Sequence, residues 1–356
     1  MRPPARRLAA LATAAAVLAT AASASASAAS STPAATARPL AGLRVLLTND
    51  DSMRAVKASN SDGLGLYELR RALCAAGADV VVMAPWQVRS GAGTAVTNDG
   101  VLTLSRRTDL PAGYQGDCAG TPSGSPVYGV CLAAGPCGPD SPGATPADTV
   151  KLALRAALAA KSGWTNGPDL VVTGINSGPN VSAQVNDSGT VGAALAAVEE
   201  GVPALAFSSA GDDTGVFFPL ADYRATADFG ARLIAGLRAR GLLTAHFALK
   251  VDYPDVTAGS PAKAPRWTSV GHGREVWHAY QPSGADSFAI TLGVCEERPG
   301  DACTETVPDA DATAVLRNGH VSVTPVTADR TYGVRTVGPQ ELNRIRHYIE
   351  HDAPRP

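Results

Sequence analysis

Leu43-Arg44-Val45-Leu46-Leu47-Thr48-Asn49-Asp50-Asp51 is the stretch that decides the fold. An apolar run stops at four polar residues, which is how a buried strand ends in a loop. Gly63 to Ala76 then carries Leu64, Leu66, Leu69, Leu73 and Cys74 at helical spacing, and Gly77 stops it. Asp79-Val80-Val81-Val82-Met83-Ala84 is a second buried strand, closed by Pro85. The unit is strand, loop, helix, strand. Strands that are apolar throughout, rather than alternating, imply a parallel sheet covered on both faces.

The unit recurs along the chain. Helical patterns cover 148–160, 190–200 and 222–240, and strand patterns cover 169–173, 203–208 and 247–251. This predicts an α/β, three-layer, doubly wound, mostly parallel sheet with a Rossmann-like core over 43–252. Residues 106–146 interrupt it with a Gly-, Pro- and Cys-rich insert lacking sustained periodicity. Residues 253–356 read as a smaller β-rich extension, with strands at 268–270, 287–292 and 320–325 and a closing helix over 338–351.

The ends and the composition bound the function. Arg2, Arg6 and Arg7 precede an apolar run from Leu8 to Ala22, and Ala-Ser-Ala steps follow at 24–28. That is the layout of a secretory signal peptide over 1–28. The Arg6-Arg7 pair leaves the twin-arginine route open beside the general one. Residues 29–42 read as a Ser/Thr/Ala/Pro linker, and no stretch reaches the length of a stable membrane anchor. The 356-residue chain carries a net charge of −2, and removal of the leader's three arginines takes it to −5. Such a balance gives no basic footprint for duplex nucleic acid.

Chemistry concentrates where the predicted strands end, which is the ligand-binding edge of a parallel sheet. Asn49-Asp50-Asp51 follows the first strand, and two adjacent carboxylates there call for a cation. Hard oxygen ligands suit Mg²⁺ or Mn²⁺, and Ca²⁺ fits the same chemistry. Ser90 follows the second strand. Gly174-Ile175-Asn176-Ser177-Gly178-Pro179-Asn180 follows the third, offering amide oxygens for a metal and N–H groups for phosphate. Ser188-Gly189-Thr190 opens an Ala-rich helix whose N-terminus suits an anion. Each segment alone reads equally as a polar turn or a helix cap. Their convergence on one sheet edge fits a divalent metal beside a phosphate.

The ordered motifs LRVLLTNDD, VVVMAPWQVRSGAGTAVT, TPADTVKLAL, PDLVVTGINSGPNVS, SGTVGAALAAVEEGVPALAFS and HVSVTPV resemble the SurE family of metal-dependent phosphatases and nucleotidases. The resemblance covers about 43–326 and implies Asp50, Asp51, Ser90 and Asn176 as metal ligands, with Asp50 and Asp51 also catalytic. It implies Asn180, Ser188, Gly189 and Thr190 as the phosphate-contacting segment, to which Asn49 is added. It further implies one Mg²⁺ or Mn²⁺ per subunit, a small phosphomonoester substrate, and homodimers or homotetramers built through the C-terminal region. The implied activity is that of a 5′- or 3′-nucleotidase. A broad-specificity secreted acid phosphatase and an exported phospho-ligand-binding protein are the alternatives. Two departures stand out: Ser52 replaces the family's Gly after the Asp pair, and the insert separates Gly120-Thr121-Pro122 from Thr145-Pro146. Such an insert resembles a secreted branch of the family.

The remaining candidates are weaker. His347 and His351 are four apart on the last helix with no third ligand nearby, which reads as a solvated face. Lys151 reads as structural. Six cysteines in an exported chain allow three disulfides, and Cys295 with Cys303 is the favoured pair.

Overall fold

The structure is a computed structural model, and it describes residues 38–54, 62–212, 217–257, 259–294, 305–329 and 339–356. The expected leader, most of the linker and the Cys295–Cys303 pair lie outside the described residues. Among the described residues eleven strands and six α-helices follow one another. The first half runs β1 (Arg44–Thr48), α1 (Leu64–Ala75), β2 (Asp79–Pro85), β3 (Leu102–Arg107), β4 (Val127–Leu132), α2 (Pro146–Leu152), α3 (Leu158–Ser162) and β5 (Leu170–Ser177). Then come α4 (Gly189–Glu199), β6 (Ala204–Ser209), α5 (Leu220–Ala239), β7 (Ala248–Tyr253), β8 (Lys263–Trp267), β9 (Val276–Pro282), β10 (Phe288–Val294), β11 (His320–Val326) and α6 (Pro339–His351).

Nine strands form one sheet in the order β3-β4-β2-β1-β5-β6-β7-β11-β8. The run β4-β2-β1-β5-β6-β7 is parallel throughout. Successive side chains of a strand point to opposite faces, and here both faces are buried. Val45, Leu47, Val80, Val82, Leu170 and Val172 pack against α1, α5 and α6 through Leu66, Leu69, Phe229, Ile234 and Ile345. Leu46, Val81, Met83 and Val171 face α2, α3 and α4 through Val150, Leu158, Val191 and Ala194. The three-layer, doubly wound expectation therefore holds.

Three expectations need correction. The insert over 106–146 is not irregular throughout: β3 begins just before it, and Val127–Leu132 lies parallel to β2 in the main sheet. Gly129 interrupts the apolar run of β4 because a Cβ there would stand 2.3 Å from the Trp86 ring. The β-rich C-terminal extension is present as expected, and part of it joins the main sheet. β11 pairs antiparallel with β7 and parallel with β8, so both complete the main sheet, and only the β9–β10 hairpin stands apart. The strand expected at 268–270 lies upstream of that range, at Lys263–Trp267. Finally, the end of the expected linker belongs to the fold. Leu40 is buried, its N–H bonds Ala76 O, and Arg238 donates to the carbonyls of Pro39 and Ala41.

Disulfides join Cys74 of α1 to Cys118 of the insert, and Cys131 of β4 to Cys137. Lys151 is indeed structural, pairing with Glu199 at 2.8 Å and Glu200 at 3.4 Å. The rings of His347 and His351 meet at a tilt, with centroids 4.6 Å apart, on an exposed face of α6.

Asp222 opens α5 in full burial, and its Oδ1 accepts the Val256 N–H. Burial first, then the neighbouring Asp255 and Asp212 charges, push its carboxyl up to about 7. A carboxyl raised in the folded state destabilises that state as pH climbs from the ordinary range toward 7. Asp222→Asn removes this penalty. Urea unfolding at pH 5 and pH 8 should show the variant gaining on the parent at pH 8 and matching it more closely at pH 5. A gain that is larger at pH 5 would contradict the assignment.

Candidate functional site

β1, β2 and β5 all end at the same edge, and the residues just past those ends converge. β1 delivers Asn49, Asp50 and Asp51, all buried. The loop after β2 delivers Ser90, exposed at the rim, and the Arg89 N–H bonds the Asp50 carbonyl at 2.7 Å. β5 delivers Asn176 through an irregularity: its register with β6 shifts between Thr173 and Asn176. Gly174 makes that shift possible. It sits at φ 115, and a Cβ would stand 2.1 Å from Phe207 O. Such a bulge re-aims the residues that follow it.

The two carboxylates are held differently. Asp50 reaches the N-terminus of α4, where Thr190 donates its hydroxyl to Oδ1 at 2.6 Å and its N–H to Oδ2 at 3.1 Å. Gly189 is needed for this approach, because a Cβ at 189 would stand 2.9 Å from Asp50 Oδ2. Asp51 Oδ2 accepts the Ser177 N–H at 2.7 Å, and Ser90 Oγ lies 3.4 Å from Oδ1. Burial raises the Asp50 carboxyl above its ordinary range, and the Thr190 donors only partly offset it. Two adjacent, desolvated carboxylates repel each other, and a bound cation would relieve that repulsion.

The phosphate-side candidates divide. Asn180 is buried, its Nδ2 donates to Ser208 Oγ at 2.7 Å, and its N–H bonds Asp252 Oδ1 at 2.8 Å. Ser188 caps α4 by accepting the Val191 N–H at 3.0 Å, and its own hydroxyl proton remains to be donated. Thr190 spends its donors on Asp50. Asn49 donates Nδ2 to Ser52 O at 2.6 Å, and this bond bridges the turn in which Ser52 is held at φ 69. That left-handed backbone explains why a Gly would be at home at 52. Asn49 and Thr190 thus shape the site around the Asp pair. Asn49 Oδ1 is buried without a hydrogen-bond partner.

Two site residues were not foreseen. The Ser177 amide fixes Asp51, and Tyr223 of α5 braces Ser177 through a 2.7 Å hydroxyl contact. A backbone donor has no sequence signal, and Tyr223 lies 46 residues away from Ser177.

The donor set fits a hard divalent cation: two carboxylates, a rim hydroxyl, and the side-chain oxygen of Asn176, whose Nδ2 is turned away to Gly178 O at 2.7 Å. Among the described residues no three His, Cys, Asp or Glu side chains gather as a metal group. The cation would thus rest on two carboxylates and neutral oxygens, as suits a metal that keeps several waters.

Fold and site together define a doubly wound α/β protein with a carboxylate pair at the carboxyl edge of a parallel sheet, beside a helix N-terminus. The chain belongs to the SurE family: the model of the family described as Survival protein SurE matches residues 45–276. It is 30% identical over 298 residues to 5′-nucleotidase SurE of Thermosynechococcus vestitus, covering 82% of this chain and 93% of that protein. It is 33% identical over 289 residues to 5′-nucleotidase SurE of Solidesulfovibrio magneticus, covering 80% and 91%. The SurE crystal structure from Aquifex aeolicus superimposes with a TM-score of 0.55 at 26% identity, over 86% of this chain and 99% of that one.

Proposed function

We propose that the protein is an exported, divalent-metal-dependent phosphomonoesterase whose substrates are nucleoside monophosphates. The observation that carries this reading is the Asp50–Asp51 pair, buried and anchored by Thr190 and Ser177, with Ser90 and Asn176 beside it. Its kinship with proteins named 5′-nucleotidase SurE supports the substrate class.

Asp50, Asp51, Ser90 Oγ and Asn176 Oδ1 would hold one Mg²⁺ or Mn²⁺. When bound, such an ion neutralises phosphoryl charge and lowers the pKa of a water. The Ser188 hydroxyl and the Asn180 amide bind phosphoryl oxygens, as preformed donors that need no reorganisation during reaction. Thr190 and the Ser177 amide keep the two carboxylates in place. Asp51, at the Ser90 side of the pair, accepts the proton of the attacking water. The experiment is phosphate release from nucleoside 5′- and 3′-monophosphates, sugar phosphates and p-nitrophenyl phosphate, with Mn²⁺, Mg²⁺ or chelator. Metal-dependent release with nucleotides preferred supports the reading. Equal rates across the panel favour a broad-specificity phosphatase, and no release with any substrate overturns it in favour of a binding protein.

Export is supported by the leader-like N-terminus and by the two disulfides, which persist in oxidising compartments. Among the described residues no helix is long and apolar enough to cross a membrane.

The partner we propose is a second copy of the chain, docked on the β9–β10 hairpin. Ile290 pairs with Tyr280, and Phe288 and Leu292 lie two residues to either side, so all four share one face. Each is more than 60% exposed. Contiguous exposed apolar faces mark interaction sites. Light scattering should find a dimer or tetramer for the parent and a monomer for Tyr280→Ser/Ile290→Ser. An unchanged mass would remove the hairpin from the interface.

A further inference from the structure

The loop that carries Asn180 is held from behind by charges that the chemistry above leaves unused. Lys250 on β7 is fully buried. Its ammonium pairs with Asp252, two residues along the same face of β7, and with Asp311 Oδ2 at 3.0 Å. Both carboxylates are fully buried as well. Each turns its other oxygen toward the loop. Asp252 Oδ1 accepts the Asn180 N–H at 2.8 Å. Asp311 Oδ1 accepts the Ser182 N–H at 3.1 Å and the Gly271 N–H at 3.0 Å. Glu305 adds a 2.9 Å bond from Ser182 Oγ. Ser182 itself sits at φ 51, a conformation that persists only where the surroundings impose it.

Energetics argue that this cluster is not there for stability. Removing three charges from water is costly, and well-packed apolar residues of like volume commonly hold a core as well or better. An apolar trio, however, has no oxygen to offer the N–H groups of residues 180 and 182. The charges also cannot act directly, because Lys250 is sealed from the cleft.

We propose that the Lys250–Asp252–Asp311 triad is a positioning device for Asn180, fixing the backbone at 180–182 so that the Asn180 amide is already aimed when phosphate arrives. Lys250 bridges Asp252 and Asp311, the two carboxylates grip the loop, and the loop presents Asn180. The inference rests on Asn180 contacting phosphate, as in the reading above.

The test compares double variants of the mature chain that differ in one atom group. Lys250→Met/Asp252→Asn removes the ion pair but keeps an amide oxygen for the Asn180 N–H. Lys250→Met/Asp252→Leu removes both. The first should keep kcat/KM for a nucleoside 5′-monophosphate within about threefold. The second should lose about 30-fold, close to the loss in Asn180→Ala, because misplacing a binding group costs rate on this scale. Inhibition by inorganic phosphate should weaken in parallel. Adding Asn180→Ala to the second variant should cost little more, since groups acting through one contact are not additive. Circular dichroism and urea midpoints establish that each variant is folded. If Leu at 252 prevents folding, Asp252→Ala in the Lys250→Met background poses the same question in less volume. Full activity in Lys250→Met/Asp252→Leu while Asn180→Ala is impaired would overturn the inference, as would equal losses in both folded double variants or multiplicative effects with Asn180→Ala. An unimpaired Asn180→Ala would overturn the phosphate role of Asn180 itself, and the inference with it.

Discussion

Replacing Asp50 or Asp51 by Asn is expected to cut phosphate release by about 1000-fold while leaving the fold intact. Both carboxylates are buried, and burial alone already pushes Asp50 toward its neutral form. Holding two adjacent carboxylates in a buried place is unfavourable, so the pair is a functional expense in the folded chain. Asparagine keeps the shape, and its one side-chain oxygen can still accept a Thr190 donor at position 50 or the Ser177 N–H at position 51. It removes the charge that would hold a cation and the base that would take a proton. The melting temperature of each variant should therefore equal or exceed that of the parent, as is common where an active site trades stability for function. Phosphate release from a nucleoside monophosphate, measured beside thermal unfolding, checks both halves. A variant that keeps full activity would remove its residue from the site, and one that unfolds would give it a structural role.

The parts of this site that could be read from the chain are those with local signals. Leu43 to Asp51 displays a buried strand followed by its ligands, and β1 ends at Thr48 within one residue of that reading. Ser188 displays a helix cap and is one. What could not be read depends on residues far apart. Thr190 looks like an anion-binding residue until the fold brings Asp50, 140 positions earlier, onto its hydroxyl. Lys250 lies in a largely apolar strand, and nothing nearby in the chain announces Asp311, which closes the triad from beyond the hairpin. β4 was hidden for a different reason. Its Gly129 lowers strand propensity, yet the position requires a Gly because Trp86 and Met53 occupy the space a side chain would need.

Breaking the Cys74–Cys118 bridge is the second large expected effect. It ties the C-terminal end of α1 to an insert 44 residues away. By chain entropy alone, closing a loop of that size is worth roughly 4 kcal/mol. Hydrogen bonds join the same two segments beside the bridge. Arg70, buried on the same helix, donates to Ser125 Oγ at 3.0 Å, Ser125 O at 3.1 Å and Asp117 O at 3.3 Å. Tyr114 donates to Glu68 Oε1 at 2.7 Å. The insert is thus already docked where the bridge holds it. Cys74→Ser/Cys118→Ser should lower the unfolding free energy in urea by several kcal/mol, and dithiothreitol should reproduce most of that loss in the parent. An unchanged midpoint in both would mean that the hydrogen bonds alone hold the insert. The Cys131–Cys137 bridge closes a far shorter segment, and its removal should cost less.

The proposed cation site draws Asp50 and Asp51 from the end of β1, Ser90 from the loop after β2 and Asn176 from β5. Titration of chelator-treated protein with Mn²⁺, followed by electron paramagnetic resonance, tests it without recourse to any substrate. One ion bound per chain in the parent, and none at the same concentrations in Asp50→Asn/Asp51→Asn, is the predicted result. Equal binding by the parent and the double variant, or none by either, would contradict it.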